Sequence, residues 1–73
     1  MSALPTSFYL DRAADRRRSA KAATLANVRD RFLISERTWR DLAARARRVE
    51  SMQAKLVART AAARRAAQSA PAG

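Results

Sequence analysis

Seventy-three residues allow one domain at most, and with 19 Ala, 14 Arg and only 16 large apolar residues any core is thin. The chain has no Cys and no His, six acids that stand singly among basic residues, and one Gly. These absences exclude zinc sites, disulfides, imidazole triads, paired-carboxylate chemistry and glycine-rich phosphate loops. We therefore expect no enzymatic activity, with no catalytic residue, metal site, cofactor or small-molecule substrate.

The longest runs of large apolar residues, Phe8-Tyr9-Leu10 and Phe32-Leu33-Ile34, fall far short of the ~20 residues that cross a bilayer. The opening segment MSALPTSFYLDR has neither the basic start nor the apolar stretch of a secretory signal. Asp11 and Asp15 do not fit an acid-poor transit peptide, which leaves the cytoplasm as the expected location.

Between Pro5 and Pro71 there is no Pro and no Gly, so helix is the expected state throughout that stretch. Ala and Arg are strong helix formers, and the few β-branched residues are scattered rather than alternating as in a strand. Residues 1–6 read as a tail. A first helix is predicted near 7–22, with Thr6 or Ser7 as its N-cap and Asp11 near the positive end of its dipole. A break is predicted near 23–25, with Thr24 capping a second helix near 25–66. The alternative break at Ser35 is disfavoured because it interrupts a repeat that continues in phase across it. Residues 67–73 read as a disordered tail, and the segment after Val57 holds no large apolar residue to bury.

The second helix carries the informative pattern. Leu25, Phe32, Trp39, Ala46 and Gln53 form an a series, and Val28, Ser35, Leu42, Val49 and Leu56 a d series, of one heptad register. Its large members, Leu25, Val28, Phe32, Trp39, Leu42, Val49 and Leu56, are the predicted packing surface. Phe and Trp at a suit an irregular partner better than a regular zipper.

Two partners for this stripe are visible in the chain. One is the first helix, folding back as an αα-hairpin through Phe8, Leu10, Ala13, Ala14, Ala20 and Ala23. Phe32, Leu33 and Ile34 point about 100° apart, so something is expected on a second face, with Phe8 and Tyr9 as the cover and Leu33, Ile34, Phe8 and Leu10 holding the hairpin. The other partner is a second copy in a parallel coiled-coil-like dimer, which sets Arg31 against Glu36 and Arg45 against Glu50 of the other copy. The predicted fold class is thus all-α: a short and a long helix in a hairpin, open to oligomerisation.

The net charge of +10 is spread over the whole chain. Arg16, Arg17 and Arg18, with Arg45, Arg47 and Arg48, are the candidate contacts to nucleic acid or to an acidic partner. A basic stretch running into heptads has the layout of a basic-zipper protein, yet it lacks an Asn to read a base edge and a regular Leu at d. The expected function is a small basic helical module for protein interaction or oligomerisation, binding itself or a larger protein. The alternative is a nucleic-acid binder acting without sequence preference, and a further, less favoured one is attachment to an anionic membrane surface through Trp39 or Phe32.

The segment Ala22-Ala23-Thr24-Leu25-Ala26-Asn27-Val28-Arg29-Asp30-Arg31, followed by Leu33, Ser35, Trp39 and Leu42-Ala43, resembles short uncharacterised Ala/Arg-rich helical proteins of GC-rich bacteria. The resemblance spans roughly residues 8–52. It implies a small bacterial α-helical protein and carries no activity or site.

Overall fold

The structure, a computed structural model, describes residues 4–69 as two antiparallel helices, α1 (Thr6–Ala22) and α2 (Ala26–Ser69). This is the all-α hairpin of one short and one long helix that the breaker-free sequence implies. At 1.5 Å per residue α1 is about 26 Å long and α2 about 66 Å, so α1 covers well under half of its neighbour. The molecule measures 76 × 21 × 12 Å, and its radius of gyration of 20.7 Å is nearly double the roughly 11 Å of a compact chain of this length.

The break falls at Ala23-Thr24-Leu25, as the register requires, but its chemistry differs from the expected cap. Among the described residues no hydrogen bond from the Thr24 side chain caps α2; the Leu25 carbonyl instead accepts from Arg29 N–H at 3.0 Å. Ala23 turns out of α1 with φ −72° and ψ 131°, and its carbonyl accepts a hydrogen bond from the Arg29 guanidinium at 3.3 Å. A cation therefore stands at the negative end of the α1 dipole, with Lys21 in the same last turn. Downstream, α2 passes through Ser35 without interruption and runs to Ser69, beyond the expected end near 66. Thr38 and Thr60 satisfy their hydroxyls on the carbonyls four residues back, Ile34 and Leu56. Residues 70–73 of the expected tail, like residues 1–3 at the other end, lie outside the described part.

The start of α1 also departs from expectation. Pro5, with no side chain able to cap, is the N-cap, and Thr6 is already helical. The cap comes from α2: the carboxylate of Glu50 accepts from the Thr6 backbone N–H at 2.9 Å and from its hydroxyl at 3.0 Å. No acid occupies the first turn of α1. Glu50 supplies from across the interface the negative charge that Asp11 was expected to provide.

The core is made of alanine. Ala13 and Ala20 of α1 and Ala43 of α2 are buried, each 3% exposed, and among the described residues no large side chain is fully enclosed. Small side chains at these positions let the two helix axes approach closely, and Ala13 and Ala20 stand one heptad apart on α1. Protected residues Thr6, Tyr9, Ala13, Arg16 and Ala20 of α1 and its C-cap Ala23 step by three and four like a seam, with Phe8 and Ser19 half-buried beside them. Those of α2 are Val28, Phe32, Ser35, Glu36, Trp39, Leu42, Ala43 and Ala46. The a and d series therefore faces α1 between Val28 and Ala46, with closest approach at the adjoining Glu36 and Ala43.

Candidate interaction surfaces

The hairpin seats some of the predicted packing residues and leaves others in solvent. Val28, Phe32, Trp39 and Leu42 are half-buried under α1. Leu25, Val49 and Leu56 are exposed: the turn leaves the first uncovered, Val49 lies at the edge where α1 begins, with Thr6 on the neighbouring Glu50, and Leu56 lies beyond α1. Phe8 and Tyr9 do not cover a second face at Phe32-Leu33-Ile34. They gather around Trp39 instead, with ring centroids 6.2 and 6.1 Å from the indole and 5.4 Å from each other. The edge-on arrangement of Phe8 on Trp39 is the favoured one for aromatic quadrupoles. Arg12 lies over the Phe8 ring at 5.4 Å.

Leu33 and Ile34, expected to hold the hairpin, are exposed, as are Leu10 and Ala14. A single helix can shield one face of its neighbour, and α1 takes the Phe32 face. The second cover implied by the apolar triplet is absent among the described residues.

The expected basic cluster is divided in the same way. Successive helical residues diverge by about 100°, so Arg16, Arg17 and Arg18 take three directions. Arg16 lies in the seam, where its Nε is shut off from solvent with no hydrogen-bond partner among the described residues. Arg18 pairs with Asp15 on the outer face. Arg17 alone lines an open groove of about 570 Å³ between the helices, together with Lys21, Arg29 and Arg40, over Ala20 and Leu33. Glu36, 9% exposed, reaches the same groove and is neutralised by Arg40 at 2.9 Å. Of Arg45, Arg47 and Arg48, all exposed, Arg47 borders the same side of the hairpin with Leu10 and Arg40, close to Thr6.

The parallel dimer suggested by Arg31–Glu36 and Arg45–Glu50 pairing does not accommodate this arrangement. Glu36 is buried against Arg40, Glu50 is engaged by Thr6, and α1 occupies the seam on which a parallel partner would lie.

Beyond Glu50 α2 continues for 19 residues, 51–69, as a bare stalk about 29 Å long. Every residue from Arg47 to Ser69 except Ala61 is exposed. Val49 is 40% exposed, Met52 64%, Leu56 58% and Val57 70%. Met52 and Val57 were passed over in the sequence because they stand at g and e, beside the a and d positions. A wider apolar stripe of the kind a globular helix carries would have included them.

Among the described residues no helix is long and apolar enough to cross a membrane, and no three of His, Cys, Asp and Glu come together to hold a metal ion. The chain matches no known protein family, and no characterised protein or solved structure shows significant similarity to it.

Proposed function

We propose that the chain is a non-enzymatic helical interaction module of the cytoplasm, in which the hairpin is a rigid base and the stalk of α2 is the surface that packs on a protein partner. The observation that carries this reading is the exposed stripe Val49, Met52, Leu56 and Val57, which continues the α1·α2 seam in phase after α1 has ended. Contiguous exposed apolar side chains rimmed by charge are the usual mark of an interaction surface.

Magnitudes decide how much the stripe can do alone. Full burial of such side chains contributes about 1.5–3 kcal/mol each, so covering what remains exposed here gives roughly 3–7 kcal/mol per chain. Association costs about 4–15 kcal/mol in lost translational and rotational freedom. Apolar burial therefore supports contact and leaves the choice of partner to the flanking charges. Sedimentation equilibrium and circular dichroism over a concentration series at ~150 mM salt test the reading. A helical assembly, of the chain with itself or with a co-purifying protein, that is lost on Leu56→Asp supports it. An assembly state indifferent to that substitution removes it.

A second reading rests on the groove of Arg17, Lys21, Arg29 and Arg40, four cations that converge around one neutralised acid and could hold phosphates. Replacing Arg17, Lys21 and Arg29 by Gln discriminates: loss of duplex DNA or RNA binding at physiological salt, with helicity unchanged, favours nucleic-acid binding as the function.

A further inference from the structure

The stalk's flanking charges identify the kind of partner it fits. In the heptad frame that places Phe32 and Trp39 at a, Thr60 and Ala67 are at a and Leu56 and Ala63 at d on the stalk, so Arg59 stands at g and Arg64 at e. Arg59 stands beside the seam, and Arg64 continues the e line of Glu36 and Ala43 that approaches α1 most closely, so both meet a partner lying along that seam. Both are cations. Lys55 and Arg65 add two more, and no acid follows Glu50 anywhere in the sequence.

We infer that the stalk docks an acidic amphipathic helix of another protein, which lies end to end with α1 along the same seam of α2. This rests on reading the stalk as an interaction surface. Three observations carry the choice of occupant. The stripe is continuous with an interface already formed, since Val49, Leu56 and Ala63 extend the d series that Val28, Ser35 and Leu42 present to α1. The charge is of one sign, so Asp or Glu at the partner's flanking positions finds Arg59 and Arg64. Small residues at Thr60, Ala63 and Ala67 also admit a close backbone, as Ala46 of the a series does beside α1.

A second copy fits poorly by the same geometry. Parallel pairing of two stalks sets Arg59 against Arg64 of the other copy, and antiparallel pairing sets g against g and e against e with no acid on either stalk to answer these cations. The two acids that might have relieved this, Glu36 and Glu50, are engaged within the hairpin. Nucleic acid would meet the arginines yet offer nothing apolar to Leu56 and Val57. A membrane surface would find a short stripe with no aromatic anchor, because Phe8, Tyr9, Phe32 and Trp39 all belong to the hairpin.

The test uses the full chain and two fluorescein-labelled synthetic helices with Leu at a and d, one carrying Glu and the other Lys at e and g, read by anisotropy at ~150 mM salt. The Glu peptide is expected to bind at least tenfold more tightly than the Lys peptide. Arg59→Glu with Arg64→Glu should invert that order, and Leu56→Asp should abolish binding of both, with unchanged circular dichroism throughout. Equal binding of the two peptides, or a preference untouched by the double reversal, overturns the acidic partner. If Leu56→Asp nevertheless disrupts self-association in the same preparation, the stalk remains an interaction surface and only the identity of its partner falls. Tighter, Leu56-dependent binding to phosphatidylglycerol vesicles than to the Glu peptide, or displacement of that peptide by duplex DNA, also overturns it.

Discussion

The backbone N–H and the hydroxyl of Thr6 both donate to the carboxylate of Glu50, 44 positions further along the chain. A helix that starts after a proline, with no acid in its first turn, thus draws its cap from the helix against which it packs. Local structure and tertiary docking become one event, because α1 has its cap only when it lies on α2. Glu50→Ala is expected to destabilise the hairpin by about 0.5–2 kcal/mol, the usual effect of losing an N-cap. Thermal unfolding monitored at 222 nm checks this, and a domain this small shifts by about 4–8 °C per kcal/mol. An unchanged midpoint would show that solvent serves Thr6 equally well.

The alanine core is expected to be intolerant of bulk. Ala20→Leu forces an added side chain into the closest approach of the helices and should cost about 1–3 kcal/mol, as overpacking does. Ile34→Ala, at a position 68% exposed, should stay within about 0.5 kcal/mol. Urea denaturation of the two variants inverts the ranking that residue size alone implies.

Trp39 is half-buried between Phe8 and Tyr9, so its truncation removes an aromatic cluster without opening a closed cavity. Trp39→Ala should cost about 2 kcal/mol, below the ~3–5 kcal/mol of a fully buried aromatic. The same indole reports on α1, and its emission should shift to the red when Phe8→Ala loosens the cluster.

Arg16 holds its stem in the seam and its Nε away from water, without a hydrogen-bond partner among the described residues. Arg16→Met keeps the apolar stem and deletes the unsatisfied donor, whose burial costs about 1–3 kcal/mol. The variant should be as stable as the parent or more so in urea, and a marked loss of stability would show that Arg16 holds the seam through its charge.

Along the stalk, hydrogen exchange should quicken steadily from Glu50 towards Ser69. An isolated helix of under about 15 residues is marginal, whereas this one propagates from a nucleus already formed in the hairpin. Protection persisting evenly to Ser69 would mean that the free chain covers its stalk by self-association.

Much of the architecture was legible because it depends on what the chain lacks. With no Pro or Gly from Thr6 to Ala70, helix was the available state, and the heptads beginning at Leu25 located the turn. The face of α2 toward α1 was legible from Val28 to Ala46 for the same reason. The matching face of α1 was harder to see, since Thr6, Ala13, Arg16, Ala20 and Ala23 share a stripe without sharing an apolar character. A seam of small residues gains by proximity, which a hydropathy pattern does not register. The Glu50 cap joins two distant segments, and sequence spacing holds no trace of it. Phe32-Leu33-Ile34 misled because three adjacent apolar residues imply three neighbours only if the chain has enough elements to supply them. The arginine triplet misled likewise: adjacency in sequence became dispersal around a helix.

The 76 Å length of this molecule also sets how many things it can hold at one time. Leu33, on the floor of the cationic groove, and Leu56, in the middle of the stalk stripe, lie about 35 Å apart along α2. That separation is several times the ~8 Å over which charges sense one another at physiological ionic strength. On the two readings proposed above, a ligand in the groove and a helix on the stalk would neither collide nor compete, and the rod would serve as a spacer with two independent moorings along a single unbroken helix.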